Sequence, residues 1–483
     1  MCDRIRRGGY GSEGVKRRES LQVAPEQILR YAQAGPRYTS YPTAPMWTDT
    51  VGSTEGIAAL KRSRSAQEDP LCLYVHLPFC ERRCLFCGCT VEITRQGEKV
   101  TRYLDRLDAE FDLQCSALGD RRQVIQMHWG GGTPTHLSSA ELERLFSMVE
   151  RRFDLLPDAE LSIEIHPHVT TDAQIATLTG LGFNRFSMGV QDTDPEVQRV
   201  IHRDQTLEDT QRCVETCRGH GVGGINFDLM YGLPLQTEQT FSRTLDAVAS
   251  LRPDRLAIYG YAHVPWLKKA QIVLEREGLP GPVERANLLA QAIDRLGEQD
   301  YRVIGLDHFA LPTDSLSVAL EAGTLERNFM GYAALPDGSR MGDMLSFGAS
   351  AIADVGGAFL QNERTTASYE AALEEGRLPV ARGLVRSLED NLRRAAISSL
   401  MCRMHLDLDE LQAELGLQGL QEHFAPEWMR LAPFAAEGLC DVSPRRVDVR
   451  PLGRVFLRHL AMVFDAYLDH DSQPNARRFS QTV

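Results

Sequence analysis

The sequence predicts an α/β protein: a partial (β/α)6 barrel extended by further strands and followed by a mostly helical C-terminal domain. Three observations predict it. Between Leu71 and about Pro265, short apolar runs alternate with amphipathic stretches, the pattern of parallel β/α units. Polar or glycine-rich residues stand where those runs end, at Cys80, Gly130 to Thr135, Glu164, Gln191 and Asp228. In such barrels the strand C-terminal ends and their loops carry the chemistry. From about Val385, apolar residues recur at helical spacing instead.

In chain order, Met1 to Ser20 is polar and basic and is expected to be disordered. Residues 21–70 form an N-terminal segment in which Gln22 to Trp47 folds over the barrel mouth. Residues 71–380 form the barrel and its extension. Six strands are expected, at Leu71–Phe79, Val124–Trp129, Glu160–His166, Arg185–Gln191, Gly224–Met230 and Arg255–Ala262. Helix-like stretches such as Ser138–Phe153 and Thr237–Leu251 separate them. Beyond Gly281, a helical ERANLLAQAIDRLGEQ leads to RVIGLDHF, which extends the sheet. Residues 381–483 form the helical cap, closing with Leu452–Leu468. Its acidic run HLDLDE lacks the glycine and spacing of a calcium loop.

Cys80, Cys84 and Cys87 form a Cys-x3-Cys-x2-Cys array, with Cys89 two positions beyond. A [4Fe–4S] cubane filled by protein takes four thiolates, so a group of three can leave one iron open to a small molecule. Structural zinc sites pair two Cys or His knuckles. No second knuckle accompanies this array, since Cys213 and Cys217 read as ordinary residues of a helix. Disulfides need an oxidising compartment, and the first twenty residues contain no apolar signal-peptide core. The chain therefore reads as cytoplasmic and its array as an iron–sulfur site, with zinc or redox thiols as the alternative. In Gly130 to Thr135, GGGTPT, successive glycines let backbone N–H groups approach a ligand closely. Glu164, Gln191 and Asp228 end neighbouring strands, where an inward polar group is costly unless it binds something.

The 483 residues, 43% hydrophobic and 25% charged, suffice for a sizeable core in two or more domains. No apolar run approaches the ~18 residues of a membrane span. A net charge of −13 argues against a general nucleic-acid surface.

The stretch YVHLPFCERRCLFCGCT, from Tyr74 to Thr90, together with GGGTPT, resembles the radical S-adenosylmethionine enzymes. Within them it resembles the oxygen-independent coproporphyrinogen III oxidase family. The likeness runs over nearly the whole chain: GPRYTSYPTA from Gly35, FNRFSMGVQD from Phe183, DLMYGLP from Asp228, YAH from Tyr261, DHFA from Asp307, RNFMGY from Arg327 and PLGRVFLRHLAMVFDAYL from Pro451. The three-cysteine spacing specifies only the superfamily. Cys89 and GPRYTSYPTA make the finer distinction.

The resemblance implies a radical-SAM barrel in which Cys80, Cys84 and Cys87 ligate one [4Fe–4S] cluster and a first S-adenosylmethionine fills the open iron. Tyr74, Gly131, Glu164 and Ile352 match positions holding this molecule, with Phe329 nearby. Phe86, Gly132, Thr133, Gln191, Arg203, Asp228 and Ala262 match positions around a second S-adenosylmethionine. The implied reaction turns two propionates of coproporphyrinogen III into vinyl groups, giving protoporphyrinogen IX. It requires an electron donor and an electron acceptor, no nucleic acid and no membrane span, in a monomer. Glu164 and Cys89 are the implied catalytic residues; Cys89 reads equally as a buried small residue beside the cluster. Arg37 reads either as a partner for substrate carboxylates or as a terminal residue paired with an acid.

Two positions depart from the family pattern. Met330 stands where glutamine is usual near the first cofactor, and methionine donates no hydrogen bond. His166 stands where an acid is common and is expected either to titrate near neutral pH or to be a tolerated loop substitution. Two other classes stand as alternatives: another radical enzyme on a tetrapyrrole, such as a haem-opening methyltransferase, motivated by Met330 and because two bound S-adenosylmethionines also suit methyl transfer, and a non-enzymatic haem chaperone built on the same barrel, against which Cys89 and GPRYTSYPTA argue.

Overall fold

The computed structural model describes residues 21–64, 69–335 and 340–468; the expected disorder of Met1 to Ser20 falls outside them. A 12-stranded sheet dominates the fold. Its strands are β1 (Leu71–Leu77), β2 (Gln123–Gly131), β3 (Asp154–Ile165), β4 (Arg185–Gln191), β5 (Gly224–Tyr231), β6 (Arg255–Gly260), β7 (Arg302–Gly305), β8 (His308–Ala310), β9 (Met344–Phe347), β10 (Ile352–Val355), β11 (Ala358–Asn362) and β12 (Val380–Val385). They are ordered β12-β11-β10-β9-β1-β2-β3-β4-β5-β6-β8-β7.

The run from β9 through β1 to β6 is parallel, and both ends of the sheet continue antiparallel. All six expected strands are present. β1 stops at Leu77, two residues earlier than expected, because Pro78 has no N–H for the ladder. Phe79–Cys80 pairs instead with Glu92–Ile93. RVIGLDHF extends the sheet as two short strands, folded back on each other at Leu306, whose φ is 54°.

Local sequence explains the helices. Ser138, Thr171, Thr206 and Thr237 cap the helices Ser139–Glu150, Asp172–Gly180, Leu207–Gly219 and Glu238–Ser250, each in a reciprocal capping box. Each cap stabilises its helix by about 1 kcal/mol. Cys213 and Cys217 lie buried in the third of these helices, where burial pushes their thiols up to about 11 and 12. In the C-terminal region the helix Leu388–Ser398 leads into short helices interleaved with a three-stranded sheet of His405–Asp407, Arg446–Val449 and Cys440–Val442. Strands this short show too little alternation to be legible beside helical spacing. Asp407, in the acidic run, caps Leu408–Leu415 through the N–H groups of Asp409 and Glu410. Among the described residues no helix is long and apolar enough to cross a membrane.

Alternation along the strands divides the two faces of the barrel wall. Leu73, Val75, Trp129, Ile163, Phe186 and Ile225 are buried in the main apolar core with the helices, while the intervening residues turn polar groups inward. At the strand N-terminal ends, Glu160 accepts from Arg185 Nε at 2.8 Å and from Gln126 Nε2 at 3.2 Å. Asp314 accepts from Arg255 Nε at 2.8 Å. Arg255 Nη2 lies 3.7 Å from Glu160 and Arg185 Nη1 3.6 Å from Asp314. Four buried charges thus neutralise one another and close that end of the barrel. Burial opposes the charge on Glu160, but Arg185 and Arg255 outweigh it and pull its pKa down to about 2.

The N-terminal segment reaches elements at both ends of the sheet. Arg37 meets Asp307 at 3.4 Å beside β8, and Trp47 stacks on Phe359 of β11 with centroids 5.4 Å apart. Tyr38 donates to Asp465 of the C-terminal region at 2.9 Å.

Glu160→Gln should destabilise the protein by about 3–5 kcal/mol, because it leaves two buried guanidiniums undercompensated; denaturant unfolding at neutral pH checks this. The lowered carboxyl contributes stability that is fully present above its unfolded value near 4.5 and is lost as pH falls toward about 2. That acid-side loss should be smaller in the variant.

Candidate active site

The site forms where β1, β2 and β3 end together. The cysteine loop leaves β1 through Pro78 and lies directly against the glycine loop that ends β2. Gly132 N donates to Leu77 O at 2.8 Å and Thr133 N to Phe79 O at 2.9 Å. A Cβ on Gly132 would come within 2.7 Å of Phe79 O and 2.8 Å of Pro78 O. Gly131 adopts φ +122°, and a Cβ there would stand 2.7 Å from the His76 ring. Both positions therefore require glycine.

Glu164, at the end of β3, accepts from Gly131 N at 3.0 Å, and His128 Nε2 lies 3.4 Å from its other oxygen. Burial raises its carboxyl, but His128 and the Gly131 N–H outweigh burial and hold the pKa below the ordinary value. His128 Nδ1 is 2.7 Å from Ser162 Oγ, and its ring stacks on Tyr74 at 6.0 Å. Tyr74 Oη is 3.0 Å from His76 Nδ1, whose Nε2 reaches Thr90 O at 3.0 Å. His76 thereby joins the two ends of the cysteine loop. His76 and His128 went unnoticed in the sequence; the period-2 alternation that turns Tyr74 inward also places His76 there, and His128 precedes Gly130 by two.

Three cysteines of the loop sit in different surroundings. Burial pushes Cys80 up to about 11, and its Sγ lies 3.5 Å from Thr133 Oγ1. Burial also raises Cys84, partly offset by Arg203, whose Nη1 lies 3.8 Å from its sulfur. The neighbouring Cys89 thiol, against the effect of burial, pulls Cys87 below the ordinary thiol value. Cys80 responds to the charge of both other sulfurs, so the three are neighbours. Cys89 is the most exposed of the four, with Cys80, Cys84 and Cys87 half-buried.

On the next strands, Gln191 takes a left-handed φ of 69° at the end of β4. Asp192, the following residue, is buried and accepts from Gln236 Nε2 at 2.6 Å and Thr244 Oγ1 at 2.7 Å, which fixes this turn. Arg203 reaches across to Gly189 O and is largely buried. Asp228, on β5, accepts from Ser187 at 3.1 Å and Asn226 at 3.0 Å, and burial followed by the charge of Glu164 pushes it up to about 6. Ala262 O and Phe86 O both accept from Gln271 Nε2, at 3.2 and 3.0 Å, so one buried amide joins the cysteine loop to the end of β6. Gln271 carried no sequence signal.

Ile352 and Phe329 pack together with Trp47 and Phe359. Ile352 is tied back to β1 through the preceding turn, since Tyr103 Oη donates to His76 O at 2.8 Å and accepts from Ala349 N at 2.9 Å. Met330 packs beside Cys72, Ile125, Leu335 and Met344, an apolar surrounding that asks for no hydrogen bond. The expectation that His166 titrates near neutral pH is overturned: burial, then Arg203 and His168, push it down to about 2 and keep it neutral. Arg37 pairs with Asp307 and lies over the Tyr259 ring at 5.5 Å.

Residues 74–248 match the Radical SAM superfamily and residues 387–456 the HemN C-terminal domain. An oxygen-independent coproporphyrinogen III oxidase of Pseudomonas aeruginosa is 40% identical over 467 residues, 96% of this chain and 100% of the relative. One from Escherichia coli K12 is 39% identical over 94% of this chain and 97% of its own. The solved structure of the coproporphyrinogen III oxidase HemN from Escherichia coli, described as a radical SAM enzyme, superposes with a TM-score of 0.84 at 39% identity, covering 89% of this chain and 98% of that one.

Gly131→Ala should push the His76 ring or the glycine loop out of place and lower affinity for S-adenosylmethionine about tenfold or more, measured by equilibrium dialysis with anaerobically reconstituted protein. An unchanged affinity would detach the glycine loop from ligand binding.

Proposed function

The chain belongs to the oxygen-independent coproporphyrinogen III oxidase family of radical S-adenosylmethionine enzymes, and from that premise we propose that it converts two propionates of coproporphyrinogen III to vinyl groups, giving protoporphyrinogen IX in anaerobic haem biosynthesis. Each conversion removes a hydrogen from a propionate β-carbon, releases CO2 and passes one electron to an acceptor. The observation that carries this reading is the hydrogen-bonded join of cysteine loop and glycine loop above Glu164, in a chain the family matches over nearly its whole length.

The residues present suit a [4Fe–4S] cluster. Cys80, Cys84 and Cys87 are mutually close, and Thr133 and Arg203 stand ready to stabilise charge on sulfur. A cubane takes each thiolate on a separate iron, so three thiolates leave a fourth iron open. When bound and reduced by one electron, the cluster supplies cleavage of S-adenosylmethionine to the 5′-deoxyadenosyl radical that takes the propionate hydrogen.

Around that chemistry the protein binds and orients. The charged Glu164, fixed by Gly131 N–H, would accept from the ammonium of a first S-adenosylmethionine. Tyr74, Ile352 and Phe329 wall its apolar parts. Phe86, Gly132, Thr133, Gln191, Arg203, Asp228 and Ala262 would hold a second S-adenosylmethionine. The buried Asp228, costly to charge on its own, gains a donor when a ligand hydroxyl meets it. Cys89, exposed beside Cys87, acts on substrate rather than on iron.

In this reading residues 71–380 are the catalytic barrel and its extension, 381–483 the cap, and 21–70 the segment over the mouth. The protein works as a monomer in the cytoplasm, with a separate electron donor and acceptor. The cysteines of the described residues are unpaired, as a reducing compartment requires.

Anaerobically reconstituted protein given coproporphyrinogen III, a reductant and S-adenosylmethionine should yield the two-vinyl product. A methylated tetrapyrrole without decarboxylation, or stable haem binding without cofactor cleavage, would refute the reading. Serine at position 80, 84 or 87 should abolish the iron–sulfur absorbance. Cys89→Ser should keep it and impair turnover; loss of the cluster in that variant would refute the three-ligand assignment.

A further inference from the structure

The long helix Gly97–Leu118 carries a carboxylate that the site described above does not use. Glu110 is fully buried. Its Oε1 accepts from Asn362 Nδ2 at 2.7 Å and Gln114 Nε2 at 3.0 Å, and its Oε2 from Tyr369 Oη at 2.6 Å and Gly348 N at 2.8 Å. All four partners are neutral donors. An ionised carboxylate accepts through both oxygens and donates nothing, so it satisfies such a set where an amide would turn its own N–H groups onto donors. Burying that charge beside neutral groups is costly, and a position that only filled space would hold an apolar side chain instead.

The donors share a destination, the turn of residues 348–351 between β9 and β10. Gly348 N bonds Glu110 directly. Asn362 Nδ2 also donates to Gly348 O at 2.9 Å, and Asn362 N to Ala351 O at 2.9 Å. Gln114 Nε2 also donates to Ser346 O at 2.9 Å. The Tyr369 ring packs on Tyr103 with centroids 5.3 Å apart, and the Tyr103 hydroxyl holds both Ala349 N and His76 O. Gly348 has a φ of 100°, and a Cβ there would stand 2.5 Å from His76 O and from Tyr103 Oη, so the turn lies directly on the end of β1. Ser346 stands beside Tyr74 in the parallel ladder, and its hydroxyl donates to Ile352 O. The bonds that begin at Glu110 therefore lead to Tyr74 on β1 and to Ile352 at the start of β10.

We propose that Glu110 is a positioning residue for the first S-adenosylmethionine, setting the 348–351 turn against β1 and with it the place of Ile352 beside Tyr74. This role rests on the radical-enzyme reading above, in which Tyr74 and Ile352 wall that molecule. The ionised form performs it, because protonation would turn one acceptor into a donor among donors. Burial pushes the carboxyl up to about 7 against the pull of its hydrogen bonds, so the change of form falls near neutral pH. Of the titratable groups around the network, burial lowers His76 and raises Tyr103 and Tyr369, while His128 and Gly131 N–H hold Glu164 low. Glu370 and Glu92, whose charges reach Tyr103, are paired with Arg102 and Lys99. A ligand that needs the held turn favours the ionised Glu110, so its affinity rises as pH rises through about 7.

The test titrates anaerobically reconstituted holoprotein with S-adenosylhomocysteine, a thioether that keeps the amino and carboxylate groups but resists reductive cleavage. Electron paramagnetic resonance of the reduced cluster reports occupation of the open iron. Wild-type affinity should rise several-fold between about pH 6 and about pH 8. Glu110→Gln should weaken binding about tenfold at the upper pH and remove the Glu110 part of that rise, with cluster content and potential unchanged. Tyr369→Phe removes a donor that holds the carboxyl down without touching the turn, so it should keep the rise and move its midpoint to higher pH. Equal affinity and pH dependence in wild type and Glu110→Gln would overturn the proposal, as would loss of the cluster together with affinity, which would assign Glu110 to general support. Should Glu110→Gln fail to fold, an unmoved midpoint in Tyr369→Phe overturns it. Wild-type protein that binds the thioether but never cleaves S-adenosylmethionine on reduction would instead refute the radical-enzyme reading.

Discussion

Two backbone hydrogen bonds, from Gly132 to Leu77 and from Thr133 to Phe79, set the separation between the cysteine loop and the end of β2. Everything at the site depends on that separation. No side chain fits between the loops at Gly132, and at Gly131 the His76 ring fills the space a Cβ would take. The same glycine N–H holds Glu164, and the threonine after the glycines touches Cys80. Thiol loop, glycine loop and carboxylate are therefore one body: displacing any of them moves the others. This is why three short motifs, scattered over some ninety residues, carry a single chemistry.

A barrel with a polar interior must neutralise what it buries. The protein does so in two ways along its axis. Near the strand N-terminal ends, Glu160, Arg185, Arg255 and Asp314 compensate one another and no ligand is needed. Near the C-terminal ends compensation is incomplete: Asp228 is pushed up to about 6 and the glycine loop turns its backbone donor to Glu164. The first layer holds the shape, and the second is left with groups whose environment improves when ligands arrive.

Much of this was legible in the sequence. β4 spans the expected Arg185–Gln191, and Ser138 and Thr237 cap helices where their side chains predict it. Period-2 alternation separates core-facing from inward residues on every central strand. Where the reading failed, the cause lies in distant partners or in elements too short to have a period. Pro78 ends β1 early, and the three-stranded sheet of the C-terminal region hides among helices. His166 is neutral because burial and Arg203, 37 positions on, act on it, and Gln271 joins Phe86 to Ala262 from a short 3-10 turn with no motif. Met330 looked like a lost hydrogen bond; its apolar neighbours come from four separate segments of the chain.

The central claim is that three thiolates of the array hold the cluster and that Cys89, beside Cys87, leaves one iron for S-adenosylmethionine. Electron–nuclear double resonance on the reduced protein, with S-adenosylmethionine isotope-labelled in its amino and carboxylate groups, tests it directly. Coupling of both labels to the cluster is expected in the wild type and, undiminished, in Cys89→Ser. Coupling that is absent from the wild type and emerges only in Cys89→Ser would show that Cys89 occupies the fourth iron and would contradict the assignment.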